Sequence, residues 1–552
     1  MRLHDRKTGI LAHISSLPGD YGIGDLGEGA HEFARILAAA GVRVWQILPL
    51  VPTEPGAANS PYSSTSAFAG NRLFISPERL AEQGLLSPAD LAGFKVRCTP
   101  YVDYVGAYDI KEKLLILAYD NFRRDGAYRV RFKELSDDFW DFCVAEAYWL
   151  EDYALFSVLK ELEGGKGWGD WRDDYKLRNW SVLDPLKADP DIARMLDIRR
   201  FEQFLFFSQL EELLTVCRTL DIEVVGDLPI YVAYDSADVW GHRELFELDE
   251  EGQPTVVSGV PPDYFSETGQ RWGNPIYHWE RMKQEGYGWW IGRVRHALRC
   301  ADRLRIDHFR GFMGYWEIPA EEPTAVNGAW RDGPGLDFFA ALKRSFAPGA
   351  EELLPFIAED LGVVTEDVIQ AMNEFCLPGM KVLQFAFGEG MPQNIYVPHN
   401  HVRNSVVFVG THDNNTTVGW WNLDATETEK ENFLLYIDRK NLDARGATDA
   451  MLRLALSSTS DLAVLTLQDI LHLDADARMN TPSTTEGNWA WRLEGFEALE
   501  GVSERLLGLS TLYGRCVPMP PEVAAELDPE AAPALEAFVI VPDDESRDEP
   551  AT

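Results

Sequence analysis

Leu304-Arg305-Ile306-Asp307-His308 is a short run in which apolar and charged side chains alternate before it closes on an aspartate and a histidine. Alternation is the pattern of a β-strand, and residues two apart on a strand share a face, so Arg305 and Asp307 point the same way. Three other runs end on a carboxylate in the same manner. Residues 223–232 contain Gly226-Asp227-Leu228-Pro229, residues 356–360 end in Ala358-Glu359-Asp360, and residues 406–411 lead into His412-Asp413-Asn414. Apolar runs at 9–17, 44–50, 381–387 and 463–468 bring the set to eight. Helical patterning at 28–41, 289–301 and 365–374 falls between them, and further helical stretches lie near 108–123, 135–163 and 192–219.

Eight parallel-compatible strands fit a closed barrel better than an open sheet. The sequence therefore predicts an α/β protein, a (β/α)8 TIM barrel with large helical and loop insertions over its C-terminal rim. The insertions span about 51–220 and 233–288 of a single catalytic unit covering 1–515. Residues 516–552 are rich in Pro, Glu and Ala, end in an acidic cluster, and read as a partly disordered tail.

The bulk composition narrows the partners. Among 552 residues, 89 acidic against 51 basic side chains give a formal charge of −38, which repels phosphate backbones and anionic lipid. Nucleic acid and membrane surfaces are excluded on that ground; the acidity itself serves either solubility or adaptation to salt. The six cysteines form no C-x-x-C pair and read as reduced thiols rather than a disulfide or zinc framework. No apolar run reaches the length of a membrane span, so a cytoplasmic protein is expected. No metal or cofactor is expected either, and the chain is taken to be a monomer or homodimer.

At the C-terminal ends of barrel strands, carboxylates are catalytic candidates. An arginine beside Asp307 favours its carboxylate form, which a nucleophile attacking an anomeric carbon requires; the competing reading is an Arg–Asp pair that stitches the barrel. Glu359, on the neighbouring strand, fits a general acid whose pKa a nearby anion raises. Two carboxyl groups about 5 Å apart would serve a retaining glycosidic mechanism. Asp413 can grip sugar hydroxyls and His412 can donate to another, although an Asp-Asn-Asn cluster is also a turn former. Asp227 fits hydroxyl binding or a supporting role better than direct chemistry. Trp168, Trp171, Trp272, Trp420 and Trp489 occur in Gly-rich or polar surroundings and are candidates for stacking on sugar rings.

Two motifs point elsewhere. Gly22-Ile23-Gly24-Asp25-Leu26-Gly27 spells G-x-G-x-x-G, but the next strand lacks the ribose-binding acid of a dinucleotide fold. His399-Asn400-His401 has no third ligand at a metal-site spacing and reads as a polar loop.

Several stretches together resemble the 4-α-glucanotransferases, the amylomaltase or disproportionating-enzyme family (glycoside hydrolase family 77). They include Ser16-Leu17-Pro18-Gly19, Asn59-Ser60-Pro61-Tyr62, Gly259 to Ser266, Gln270-Arg271-Trp272-Gly273-Asn274-Pro275, Arg305 to Gly311, Ile357 to Gly362, Gly410 to Trp420 and Arg478-Met479-Asn480-Thr481-Pro482. The ordered set is specific and runs from about Arg6 to Arg515. The resemblance implies Asp307 as nucleophile, Glu359 as acid/base and Asp413 as transition-state stabiliser. It implies that Ser60, Tyr62, Gln270, Trp272, Arg305, Phe385, His412 and Asn480 line the subsites, and that residues 260–274 form a flexible lid. The substrates it implies are α-1,4-glucans and maltooligosaccharides, with glucose as an acceptor. An α-1,4-glucan hydrolase on the same barrel and a non-catalytic glucan-binding protein are the alternatives. Ser483 departs from the family pattern, where a glycine is more usual.

Overall fold

The structure is a computed structural model, which describes residues 6–262, 266–362 and 364–516. Among the described residues there are twelve strands: β1 (Lys7–Leu11), β2 (Val44–Gln46), β3 (Glu223–Leu228), β4 (Val256–Val260), β5 (Gln270–Pro275), β6 (Arg303–Ile306), β7 (Gly314–Pro319), β8 (Ala329–Asp332), β9 (Phe356–Ala358), β10 (Gly379–Val382), β11 (Ser405–Phe408) and β12 (Leu462–Thr466). Eight of them close a parallel barrel in the order β1-β12-β11-β10-β9-β6-β3-β2. All eight expected runs are barrel strands, each shorter than its apolar stretch. Their residues are almost wholly buried, as parallel strands covered on both faces must be.

The register fixes the heights of the charged residues. Asp227 on β3 pairs directly with Arg305 on β6, and Ile306 pairs with Ala358 on β9. Asp307 and Glu359 are each one residue beyond their strands, at the C-terminal rim. Asp227 therefore lies one layer lower, level with Arg305.

The four remaining strands form an antiparallel sheet, β5-β4-β7-β8, that the sequence did not reveal. It draws two strands from the 233–288 insertion and two from the stretch between β6 and β9. Its strands are short, carry glycine and proline, and include Ala329–Asp332 with all four residues exposed, so the alternation that marks a buried strand is missing. The predicted helix at 135–163 is two helices, Lys133–Ala145 and Ala147–Leu162. They part at buried Glu146, whose carboxylate accepts from the Trp149 indole at 2.6 Å and pairs with Arg299. Residues 517–552, nearly all of the expected acidic tail, lie outside the described residues.

The long insertion is anchored by one helix, Pro190–Thr219. Asp189 caps it by accepting from the backbone N–H groups of Asp191 and Ile192, and Pro190 takes the first position, where no intrahelical donor is needed. Two buried glutamines on this helix each hold both backbone groups of one residue in the segment that carries Tyr62. Gln203 accepts from Gly70 N–H at 2.7 Å and donates to Gly70 C=O at 3.0 Å. Gln209 does the same for Ser76, at 2.7 and 3.2 Å.

Gln203→Leu preserves volume but strands both Gly70 groups in the core, at about 1–3 kcal/mol each. The unfolding midpoint of the variant is expected to fall by several degrees in a thermal melt. An unchanged midpoint would mean that these hydrogen bonds do not hold the segment.

Candidate active site

Arg305 occupies the floor of the barrel mouth, with only 4 % of its side chain exposed. Its Nη1 lies 2.9 and 2.8 Å from the two oxygens of Asp227 and 3.0 Å from Asp307 Oδ1. The Asp227 side chain has no exposed surface, and its Oδ2 also accepts from the Tyr62 hydroxyl at 2.9 Å. Of the two roles the sequence leaves open for Asp227, hydroxyl binding and support, this geometry fits support. Its oxygens are already engaged by Arg305 and Tyr62, and its part is to orient those two. Asp307, by contrast, keeps 30 % of its side chain open to the cleft.

Glu359 is held by backbone rather than by a cation. His308 N–H donates to its Oε2 at 2.8 Å and Leu361 N–H to its Oε1 at 2.9 Å. Because His308 follows Asp307 directly, the first of these bonds ties Glu359 to the backbone next to Asp307 at the end of the β6–β9 pair. Burial pushes the Glu359 carboxyl up to about 7; Arg305 opposes this, while the Asp307 charge adds to it. The expectation of a raised acid holds, but burial is the larger cause and the neighbouring anion the smaller. His308 itself sits in the left-handed region (φ 48°), an uncommon conformation for a residue with a side chain, and burial lowers its imidazole to about 4.

The third carboxylate comes from the loop after β11. Asn414 Oδ1 accepts from both the N–H and the hydroxyl of Thr411 at 2.9 Å, and Thr411 Oγ1 accepts from Asp413 N–H at 3.2 Å. The turn that this cluster was equally able to form is real, but Asn414 builds it and the Asp413 carboxylate is left for the cleft, 47 % exposed. Asn480 Nδ2 donates to Asp413 Oδ1 at 2.7 Å, His412 Nε2 lies 3.5 Å from Oδ2, and Arg478 donates to the Asp413 carbonyl at 2.5 Å.

Rings line one wall. Tyr62 stacks on His412 with centroids 5.0 Å apart, and Trp489 packs against both. On the opposite wall the ring of Trp272 on β5 meets His308 edge-on at 4.9 Å, while its Nε1 donates to Gln270 Oε1 at 3.1 Å. Trp272 and Phe385 stand 39 % and 42 % exposed, and Ser60 Oγ accepts from Tyr62 N–H at 3.2 Å. Of the tryptophans read as stacking candidates, Trp168, Trp171, Trp420 and Trp489 are buried, which corrects that reading; loop composition does not reveal whether a loop is packed under others. Asp263, Tyr264 and Phe265 of the expected lid lie outside the described residues; the flanks of that segment form the β4–β5 hairpin.

Sequence reasoning did not single out His13 or Arg478. His13 accepts from Leu48 N–H at 3.3 Å beneath the site, and burial lowers it to about 3. Neither residue sits in a charge pattern that distinguishes it from a packing residue. The glycine-rich motif at 22–27 is a packing device, since a Cβ on Gly24 would stand 2.1 Å from the Ile14 carbonyl oxygen. His399 and His401 bond to Pro392, Tyr436, Tyr396 and Ser458, as a polar loop does. Ser483 holds φ 64°, a conformation that glycine adopts without strain.

An acid with an ordinary pKa near 4.5 when unfolded and about 7 when folded binds a proton in the folded state that the unfolded chain has released. Stability from this group is thus greatest below pH 4.5 and is lost as pH rises to about 7. Glu359→Gln removes that dependence, so the midpoint of the variant relative to the parent should climb across this range and then level off. A constant difference between the two melts would contradict the burial of Glu359.

The sequence profile of the 4-alpha-glucanotransferase family matches residues 12–498. The 4-alpha-glucanotransferase of Streptococcus pneumoniae is 44 % identical over 512 residues, 92 % of this chain and 97 % of that protein. That of Thermus thermophilus is 46 % identical over 493 residues, 88 % and 95 % of the two chains. The solved amylomaltase of Streptococcus agalactiae, in complex with acarbose, superposes with a TM-score of 0.86 at 35 % identity and covers 93 % of this chain and all of its own. The amylomaltase of Corynebacterium glutamicum shares the fold, with a TM-score of 0.74 at 19 % identity over 93 % of this chain and 75 % of its own.

Proposed function

The chain belongs to the 4-alpha-glucanotransferase family, and from that membership we propose how its own residues carry the reaction. It is an enzyme that moves segments of α-1,4-glucan. In the proposed double displacement, Asp307 attacks the anomeric carbon while Glu359 protonates the departing oxygen, giving a β-linked glucosyl-enzyme. Glu359, now a carboxylate, takes the proton from an acceptor hydroxyl, which attacks the same carbon and restores the α-1,4 link. Glucose or a maltodextrin serves as that acceptor.

The observation that carries the assignment is the hydrogen bond from His308 N–H to Glu359 Oε2. It ties the acid to the peptide next to Asp307, so both groups address one bond. A pKa near 7 lets Glu359 give and take a proton at neutral pH. Asp413, aligned by Asn480 and flanked by His412, grips ring hydroxyls as the sugar flattens. Trp272, Phe385, Gln270 and Ser60 line the subsites, with the 260–274 segment as lid. Aromatic cover favours transfer over hydrolysis because it orients the acceptor and excludes water. We take the working unit to be a monomer or homodimer in the cytoplasm.

Asp307→Asn is expected to lose at least about a thousandfold in kcat, given the size of covalent and electrostatic contributions, with its melting profile intact. Activity within severalfold of the parent would refute the nucleophile assignment. Incubated with maltotriose, the parent enzyme should yield glucose and a ladder of longer maltodextrins by chromatography. Glucose and maltose without longer chains would identify a hydrolase instead.

A further inference from the structure

The side chain of Arg492 is 1 % exposed, yet much of its hydrogen-bonding capacity is unused. Nη2 donates to the Gly19 carbonyl at 2.8 Å, whereas Nε and Nη1 are buried without a partner. Orphaned donors on a charged group are costly, so a buried arginine left this way calls for an acceptor. Burial lowers the guanidinium below its ordinary value, and a charge on Cys98 is the largest influence that opposes it, ahead of Asp25 and Asp20. The side chain that this arginine faces is therefore a thiol.

Cys98 is free and half-buried, and its sulfur donates to the Leu493 carbonyl across 3.6 Å. A neutral thiol is a weak acceptor, which is why the sulfur leaves Nε and Nη1 unsatisfied. An oxygen bonded to that sulfur would be a strong one, and the guanidinium favours any negative charge that develops there. The other cysteines differ. Burial pushes the thiols of Cys143, Cys217 and Cys300 up to about 12 and raises that of Cys516, which keeps them protonated and unreactive. Cys376 is exposed, with its sulfur 3.8 Å from the Asn373 carbonyl, and so reports what access alone does.

The same pair of segments reaches the active-site wall. Arg492 N–H donates to the Pro100 carbonyl at 2.9 Å and Val102 N–H to the Ala490 carbonyl at 2.6 Å, so that Tyr101 and Trp491 pair as an antiparallel bridge. The Tyr104 hydroxyl donates to the Trp489 carbonyl at 2.9 Å. Trp489 packs on Tyr62 and His412 with centroids 5.8 and 5.9 Å apart. Its N–H donates to the Met479 carbonyl at 2.7 Å, next to the Asn480 that aligns Asp413.

We infer that Cys98 and Arg492 form a peroxide-sensing site. The Cys98 sulfur attacks one oxygen of hydrogen peroxide: an S–O bond forms, the O–O bond breaks, and the leaving hydroxide takes the thiol proton as water. Sulfur is oxidised by two electrons, the peroxide is reduced, and the product is a sulfenic acid. Its oxygen accepts from Nε and Nη1, the bonds that the thiol could not satisfy. The Leu493 carbonyl loses its thiol donor, the 98–104 and 489–493 segments shift against each other, and the wall of Trp489, Tyr62 and His412 moves with them. Two equivalents of a small thiol restore the cysteine, releasing water and a disulfide. The modification is independent of the transferase reading above; its effect on turnover rests on that reading.

The full-length enzyme, treated with hydrogen peroxide and then with dimedone to capture sulfenic acids, is mapped by peptide mass spectrometry. Label should appear on Cys98 at least about fivefold faster than on Cys376. The kcat for maltotriose should fall at least about threefold in step with it and return with dithiothreitol. Cys98→Ser should keep the parent kcat and lose the response to peroxide. Arg492→Lys, which replaces the fork by a point charge, should slow the labelling of Cys98; if it does not fold, the ratio of Cys98 to Cys376 in the parent decides the matter. No label on Cys98, equal labelling of Cys376, or full activity of the Cys98-labelled enzyme would overturn the site. Failure of the untreated parent to disproportionate maltotriose would instead overturn the transferase reading.

Discussion

One guanidinium holds the centre of this enzyme together. Arg305 is almost wholly buried and contacts Asp227 and Asp307, with Glu359 near enough to feel its charge. Burying several carboxylates in one barrel mouth would be prohibitive without a fixed cation, since each unpaired buried charge costs several kcal/mol or more. Asp227 is a layer below the rim and has no exposed surface, so it locks the arginine and the Tyr62 hydroxyl. Asp307 is one layer up and open to the cleft. The same cation thus holds one closed and one open carboxylate, and strand register decides which is which.

Glu359 differs because its hydrogen bonds come from backbone amides and not from the arginine. Burial then outweighs the stabilising contacts and leaves an acid that exchanges its proton near neutrality. This raised acid stands at the end of the strand next to the one that leads into Asp307. The price is the strained backbone at His308, whose N–H makes the link between them.

Much of this was legible before any coordinates. Arg305 and Asp307 two apart, and carboxylates closing four apolar runs, lead to the barrel, because the barrel strands are buried on both faces and read as apolar. The β5-β4-β7-β8 sheet was not legible, because Ala329–Asp332 is exposed throughout and Gln270–Pro275 is half-exposed and carries glycine and proline. Trp272 on that sheet was reached both from its polar, glycine-bearing surroundings and by resemblance. Tryptophan burial and the role of Asp227 depend on what packs above a residue, which neither composition nor spacing encodes. Ser483 is the reverse case, where a departure from a family pattern marked a left-handed backbone position.

The account stands or falls on Asp307 forming the bond to the sugar. Trapping with a fluorinated α-glucosyl fluoride, followed by peptide mass spectrometry, reads that bond directly. The account predicts one glucosyl adduct on the peptide containing Asp307. An adduct on Glu359 or Asp413, or turnover of the donor with no covalent adduct under trapping conditions, would contradict it.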